Sequence, residues 1–438
     1  MKTADTIAAL ASGQGRAAIA VFRISGDKTA AVLRALCGEV PPPRHASFRK
    51  VIDPKTGSLI DRGIVLWFPG PASFTGEDMA EIQCHGGRAV TEAVLGAILK
   101  IEGVRLADPG EFAWRAFETG KLDISEVEGL ADLINAETAA QARQALNQAE
   151  GRLRETAESW RTALLRAQAL AEASIDFSDE SDVAAGAMDE AAEISVRLRR
   201  ELKTELSRRS GEALRGGFRI VIAGPPNAGK SSLLNALSRR DVAIVSEEAG
   251  TTRDVLEVHL DLSGLPVILI DTAGLREAEG AVESEGIRRA LERVRDADLI
   301  LWLNDATVTL QAPPDDLAGK EFLPVATKVD LLRAPDGWLG ISAVSGEGID
   351  ALLKQLSERA LNRLSPGSAA PVITRARHRI EIEAAEAALR RFTEAPSDRP
   401  ELKAEELRVA ARHLGRLTGH IDVEEVLGAI FGEFCIGK

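Results

Sequence analysis

The chain has 438 residues, 45% of them hydrophobic and 28% charged, with a formal net charge of −13. That balance fits a soluble globular protein of about three domains at roughly 150 residues each, and no stretch approaches the ~18 consecutive apolar residues of a membrane helix. The start, Met1-Lys2-Thr3-Ala4-Asp5, has no basic-then-apolar leader, and Cys37, Cys84 and Cys435 show neither metal-knuckle nor CxxC spacing. A reduced, cytoplasmic protein without structural zinc is therefore expected.

Residues 1–120 carry 14 Lys and Arg against 13 Asp and Glu, so the acidic excess lies in the rest of the chain. Such a body repels a polyanion unless a local basic patch intervenes, which speaks against direct nucleic-acid binding. From Thr6 to Gly120, strand-like runs at Ala17–Ile24 and Ile64–Phe68 alternate with turn-rich stretches, and one helix is predicted at Arg88–Ile101. Residues 1–120 thus read as a mixed α+β domain. Residues 121–214 turn to Ala, Leu, Glu and Arg with apolar steps of three and four (Ile124, Val127, Leu130, Ile134), as a helical bundle requires.

After Arg215-Gly216-Gly217, strand-like runs (Phe218–Ala223, Val267–Ile270, Leu299–Leu303, Phe322–Ala326) alternate with helical ones (Lys230–Leu237, Ile287–Val294, Ile349–Leu361). That alternation predicts a mostly parallel sheet with crossover helices over residues 215–370. Helical texture returns at Ile380–Phe392, Glu401–Leu414 and Val423–Phe431. The expected architecture is multidomain α/β and all-α. An α/β unit is inserted into one discontinuous helical domain, residues 121–214 and 371–438.

Gly224-Pro225-Pro226-Asn227-Ala228-Gly229-Lys230-Ser231, followed by Ser232, satisfies GxxxxGK[ST] between a predicted strand and a predicted helix. Such a loop turns its amides onto phosphates at a helix N-terminus, Lys230 reaches the β/γ-phosphates, and the Ser231 hydroxyl can ligate Mg²⁺. Asp271-Thr272-Ala273-Gly274 ends an apolar strand, which puts Asp271 at the Mg²⁺ shell and the Gly274 amide near the γ-phosphate. Between them, Gly250-Thr251-Thr252 offers a further Mg²⁺ hydroxyl, most plausibly that of Thr252, on a loop that orders with triphosphate. Thr327-Lys328-Val329-Asp330 and Ile341-Ser342-Ala343 select guanine: Asp330 accepts from the base edge, the Lys328 stem lies on its plane, and the Ala343 amide meets its oxygen. GTPases usually carry Asn where Thr327 stands; losing its tie to the phosphate loop is worth ~0.5–1.5 kcal/mol, up to about tenfold in affinity. Ras-like proteins place a water-orienting Gln after this DTAG motif, where the chain has Leu275, so another group must act.

Together with these motifs, Asp5-Thr6-Ile7-Ala8-Ala9, Arg23-Ile24-Ser25-Gly26, Phe74-Thr75-Gly76-Glu77-Asp78, His85-Gly86-Gly87, Pro109-Gly110-Glu111-Phe112, Arg115-Ala116-Phe117, Lys121-Leu122-Asp123 and the tail Phe434-Cys435-Ile436-Gly437-Lys438 resemble the MnmE (TrmE) family of tRNA-modification GTPases from end to end. The resemblance implies a K⁺-stimulated, Ras-like G domain. In it Asn227 binds K⁺ with a loop matching Ser246, Glu247, Glu248, Ala249, Gly250 and Thr251, of which Ser246, Glu248 and Thr251 are the ligands expected beside Asn227. Glu283 matches the water-orienting acid. Arg23, Glu81, Lys121 and Lys438 match positions that hold 5-formyltetrahydrofolate or a related tetrahydrofolate, with Cys435 a thiol nearby. The family also implies a homodimer and an MnmG-type partner carrying FAD and using NADH, the two forming a heterotetramer. The implied product is an aminomethyl-type group, commonly carboxymethylaminomethyl, at C5 of the wobble uridine of certain tRNAs, with tRNA held mainly by the partner and no membrane involved. A ribosome-assembly or regulatory GTPase would share the nucleotide motifs but needs a basic RNA-binding appendage. A folate-dependent one-carbon transferase would leave the series at 224–343 without a purpose.

Overall fold

The computed structural model describes residues 5–13, 15–176, 181–244, 257–271, 297–313, 319–365, 371–419, 430, 434 and 437. The chain divides into two compact units, one of residues 1–131, 148–158 and 414–438, the other of 132–147 and 159–413.

The first unit is built on a six-stranded sheet of β1 Thr6–Leu10, β2 Ile19–Ser25, β3 Ser47–Ile52, β4 Leu59–Phe68, β5 Met79–His85 and β6 Val104–Leu106, in the order β3-β4-β5-β2-β1-β6. Neighbours are antiparallel except β1 with β6. Alternation along β2 drops Ala20, Phe22 and Ile24 into a core shared with Val32, Leu33 and Leu36 of helix Thr29–Cys37 and Val94, Ala97 and Ile98 of helix Arg88–Leu99. Cys37 and Cys84 line that core, and burial pushes both thiols up to about 12. Within residues 1–120 one helix was expected and, among the described residues, three are found; Thr29–Cys37 and Glu111–Glu118 span 9 and 8 residues, too few to display a repeating apolar stripe. The opposite sheet face carries Arg23 directly across from Glu81, and beside them the register row Phe48–Ile64–Gln83–Val21. Phe48 and Ile64 are 66% and 39% exposed on that face.

The second unit holds a sheet of β7 Phe218–Ala223, β8 Glu257–Leu262, β9 Leu265–Asp271, β10 Leu299–Asp305, β11 Phe322–Thr327 and β12 Leu339–Gly340, in the order β12-β11-β10-β7-β9-β8. All pairs are parallel except β8 with β9. Every residue of β10 is buried. Ile220, Ile222, Leu301 and Leu303 share a core with Leu233 and Leu237 of helix Lys230–Ser238 and Leu352 and Leu356 of helix Ile349–Leu364, while Val221, Ile270, Ile300 and Trp302 pack on the other face. Because β7 pairs with β9 on one side and β10 on the other, the connections diverge there. The crevice at the strands' C-terminal ends is where such sheets bind ligands. Helix Ser181–Ser207 packs along helix Ala376–Glu394, with the Arg199 Nε donating to Glu386 Oε1 at 2.7 Å. The helices predicted at Ile287–Val294 and, apart from Ile430, at Val423–Phe431 lie outside the described residues.

In the second unit, residues 132–147 dock on the β8–β9 hairpin, where the Ala140 amide donates to Gly264 O at 3.1 Å, and on the helical turn before β7, where Arg215 Nε donates to Asp132 Oδ1 at 2.9 Å. His259 of β8 places Nε2 3.8 Å from Glu257, an ion pair, and Nδ1 2.7 Å from Glu137, a hydrogen bond. Glu257 and then Glu137, working against burial, push the imidazole up to about 9. A raised folded-state pKa contributes stability that is fully present below the unfolded value near 6.5 and is lost as pH rises through about 9. The unfolding midpoint of the wild type is therefore expected to fall more steeply between pH 6.5 and 9 than that of His259→Gln, and parallel melting curves for the two would refute the linkage.

Candidate nucleotide site

The loop after β7 is shaped by backbone that only certain residues accept. Gly224 sits at φ +147°, where a Cβ would lie 2.1 Å from the Leu303 carbonyl oxygen, so any side chain collides with β10. Asn227 (φ 62°) and Gly229 (φ 85°) take left-handed turns and deliver the chain into helix Lys230–Ser238. Lys230 Nζ donates to the Gly224 and Pro225 carbonyls at 3.0 and 2.9 Å, which arches the ammonium over the loop. The Ser231 hydroxyl donates to Asp271 Oδ2 at 3.2 Å, uniting two motifs 40 residues apart. A hydroxyl beside a carboxylate at a phosphate loop is the hard-oxygen donor set that suits Mg²⁺, which takes its remaining oxygens from phosphate and water. Ser231 and Asp271 fit that ion. Ser232 follows on the exposed face of the helix.

On the guanine side, Thr327 is buried at the end of β11. Its hydroxyl lies within hydrogen-bonding distance of two carbonyl oxygens, Ala228 O at 2.9 Å and Asn304 O at 3.2 Å. The tie to the phosphate loop, expected to be lost with the missing Asn, is thus made by Thr327. The loop backbone passes close to this hydroxyl: a Cβ at Gly229 would lie 3.4 Å from Thr327 Oγ1. The Ile341 amide donates to Ala326 O at 2.8 Å and the Val329 amide to Ile341 O at 3.2 Å, which brings the Lys328–Asp330 and Ser342–Ala343 segments side by side. Ser342 is buried, and its Oγ accepts the Val344 and Ser345 amides, fixing the turn that presents the Ala343 amide. Asp330 is exposed.

Sequence reasoning missed Asp305. It ends the wholly buried β10, and its Oδ2 lies 2.5 Å from Lys328 Nζ. Lys328 and then the Thr307 hydroxyl and amide hold its carboxyl down at about 2, against burial. The available signal was a lone acid closing the apolar run Leu-Ile-Leu-Trp-Leu-Asn-Asp. Ser246, Glu247, Glu248, Ala249, Gly250, Thr251, Thr252, Thr272, Ala273, Gly274 and Glu283 lie outside the described residues, as do Lys438 and Cys435.

In the first unit, Arg23 and Glu81 come together: Arg23 Nη2 is 3.1 Å from Glu81 Oε1, and the guanidinium lies 5.8 Å from the ring centres of both Phe74 and Phe112. Lys121 is exposed just after helix Glu111–Glu118, its amide donating to Ala116 O at 2.8 Å. Gly437 backs onto β1, where a Cβ would lie 2.4 Å from Leu10 O. Four of the segments that carry the resemblance, those of Asp5, Glu77, Glu111 and Arg115, meet in one knot. Arg115, 3% exposed, reaches Glu111 Oε1 at 3.0 Å, Glu77 Oε2 at 2.9 Å and Asp5 Oδ1 at 3.0 Å, while Arg105 grips Glu111 and Asp5 from the other side.

A phosphate loop that feeds a helix at the divergence of a parallel sheet, a Ser–Asp pair that suits magnesium, and an edge whose residues suit guanine and are tied to that loop together define a P-loop GTPase. Residues 6–121 match the family described as the GTP-binding protein TrmE N-terminus and residues 124–435 the one described as the MnmE helical domain. A protein of Beijerinckia indica subsp. indica named tRNA modification GTPase MnmE is 53% identical over 439 residues, covering 100% of this chain and 96% of the relative. Its namesake in Parvibaculum lavamentivorans is 52% identical, covering 99% and 100%. This chain belongs to the MnmE family of GTPases. Era of Aquifex aeolicus, solved with GDP and AlF4⁻, is 23% identical over 42% of this chain and 69% of that one, at a TM-score of 0.27. Among the described residues, no helix is long and apolar enough to cross a membrane.

Proposed function

We propose that the chain is a K⁺-stimulated GTP hydrolase of tRNA modification. With an MnmG-type FAD protein that uses NADH, it installs an aminomethyl-type group, commonly carboxymethylaminomethyl, at C5 of the wobble uridine of certain tRNAs, drawing one carbon from a tetrahydrofolate such as 5-formyltetrahydrofolate. The observation that carries this reading is the match over the whole length of relatives named tRNA modification GTPases, joined to the Ser231–Asp271 and Thr327–Ala228 contacts. In this reading residues 1–120 bind folate and dimerise, residues 121–214 with 371–438 form the helical domain, and residues 215–370 form the G domain.

Within the G domain, Ser231, Thr252 and Asp271 would hold Mg²⁺, which neutralises phosphate charge when bound. Asn227, Ser246, Glu248 and Thr251 would hold K⁺ where other GTPases use an arginine finger. The left-handed turn at Asn227 supports its part, since it keeps an exposed carboxamide at the rim of the loop. Glu283 orients the attacking water in place of the Gln that Leu275 replaces. The Arg23–Glu81 pair over two aromatic rings suits a ligand with a ring system and a glutamate tail. The apolar row through Phe48 and Ile64 supports a homodimer through this face. An acidic chain that leaves tRNA mainly to its partner is consistent with its net charge of −13.

The test has two arms. K⁺ in place of Na⁺ should raise GTP turnover by at least tenfold, and Glu283→Ala should keep GTP binding while losing most of that turnover. In a strain lacking the gene, wobble uridines should lack the C5 group and regain it with the wild type but not with Glu283→Ala. Unchanged uridines in the deletion strain would exclude the tRNA reading, and full turnover in Glu283→Ala would remove that residue from the mechanism.

A further inference from the structure

We infer that Asp305 is a positioning residue for guanine recognition: from the end of β10 its carboxylate pins the Lys328 ammonium, so that the lysine stem forms a fixed shelf beside the purine site. The inference rests on the guanine assignment above and adds a residue to it. Four observations carry it.

The carboxylate is itself immobilised. Asp305 Oδ1 accepts the Thr307 amide at 2.9 Å and the Thr307 hydroxyl at 2.7 Å, which leaves Oδ2 aimed at Lys328 Nζ, 2.5 Å away. The two residues are held in register from both strands, since Asp305 lies opposite Thr327 in the parallel β10–β11 pair and the Ala306 amide donates to Thr327 O at 3.0 Å. Lys328 leaves β11 at φ 60°, a left-handed conformation that a lysine adopts only where its surroundings compel it. Exposure is graded as a shelf requires: the Asp305 side chain is 12% exposed and that of Lys328 40%, so the anchor is inside and the stem outside.

The neighbouring residue closes the arrangement. Asn304, fully buried, donates from Nδ2 to Gln311 O at 3.2 Å and accepts the Gln311 amide at 2.9 Å, fastening the loop that leaves Asp305. Its own carbonyl lies 3.2 Å from the Thr327 hydroxyl. The end of β10 therefore meets the Thr327-Lys328-Val329-Asp330 motif through two successive residues, one at the backbone and one at the ammonium. Holding a four-carbon stem in one rotamer removes an ordering cost that the ligand would otherwise meet on binding.

Asp305→Asn is the isosteric test, because an amide oxygen keeps both Thr307 bonds and an amide NH₂ faces the ammonium without attracting it. In the full-length chain, D305N should weaken fluorescent GDP by about tenfold, raise the GTP KM by a similar factor, and change kcat by less than twofold. Inosine diphosphate should weaken by the same factor as GDP, since the stem shelves any purine while Asp330 reads the 2-amino group. Lys328→Ala should weaken GDP comparably, and D305N added to it should cost less than twofold more. Undiminished GDP affinity in D305N overturns the inference, as does a full tenfold loss on top of Lys328→Ala, because the acid would then not act through the lysine. Should D305N fail to fold, Asp305→Ser carries the same expectations. Wild type that prefers GDP over ADP beside a D305N of undiminished GDP affinity removes this inference alone, whereas wild type without guanine preference removes the guanine assignment and this inference with it.

Discussion

Replacing Lys230 by alanine is expected to weaken GDP and GTP binding by roughly 30- to 1,000-fold and to bring hydrolysis below detection at micromolar nucleotide. The ammonium bridges two loop carbonyls, Gly224 O and Pro225 O, from a helix whose start is fixed by Gly229. In that position it has two roles. It braces the arch of the loop, and it would supply the positive charge nearest a bound phosphate. A charge-assisted hydrogen bond is worth about 1.5–3 kcal/mol, and relaxation of the arch adds to it, which gives about 2–4 kcal/mol in all. Titration of a fluorescent GDP analogue measures the loss directly. Because Lys230 lies at the surface end of the loop and the sheet core is formed by β7, β9, β10 and β11, the nucleotide-free unfolding transition should hardly move. Wild-type affinity in Lys230→Ala would mean that the loop does not hold phosphate.

The second large effect concerns stability. Arg115→Leu is expected to destabilise the first unit by about 3–5 kcal/mol, because it leaves the buried Glu111 and the partly exposed Glu77 and Asp5 without their shared cation. Glu111 is 2% exposed and keeps Arg105 as its one cation beside the Asp108 amide, while Glu77, which also accepts from the Ser25 hydroxyl at 2.7 Å, loses its guanidinium. Arg115→Lys should recover only part of the loss, since one ammonium cannot satisfy carboxylates from three segments at once. Urea unfolding of the full chain measures the shift in the transition of this unit. The same knot is expected to set the acid limit. Against burial, hydrogen bonds from Arg105 hold the Glu111 and Asp5 carboxyls below their ordinary values, so their contribution is present at neutral pH and is lost as pH falls below the carboxylate range. Arg115→Leu should accordingly show a flatter stability profile in acid, and an unchanged acid midpoint would show that the knot does not set it.

The nucleotide site was the most legible part of the molecule because its chemistry is local. Glycines at 224 and 229, the lysine between phosphate and helix, and the acid closing β9 stand in short contiguous runs whose backbone demands are written in residue type. The core strands of the second sheet were found as nearly continuous apolar runs, as buried parallel strands must be. Strand β8 escaped because Glu-Val-His-Leu-Asp-Leu alternates over only six residues and is half solvated, a pattern that turn segments also show. In the first unit, Thr75, Glu77, Glu111 and Arg115 could be seen as motif residues but not as one structure. Their partners lie up to 110 residues away, and nothing in composition or periodicity marks such a pairing.

The chain's own order of residues therefore determined the class of nucleotide, the place of the phosphate loop, the parallel character of the sheet and the end-to-end family membership. The nucleotide class and the loop are written in short contiguous motifs, the parallel sheet in apolar runs of single strands, and the family in motifs spread from one end of the chain to the other. Tertiary structure alone decided that Thr327 takes over the tie to Ala228 across 99 positions, that Asp305 stands under Lys328, and that Arg23 meets Glu81 between two rings. Those contacts are made by side chains only a few ångströms long. Whether they meet depends on strand order and register, which are set by the packing of whole sheets rather than by the residues that finally touch.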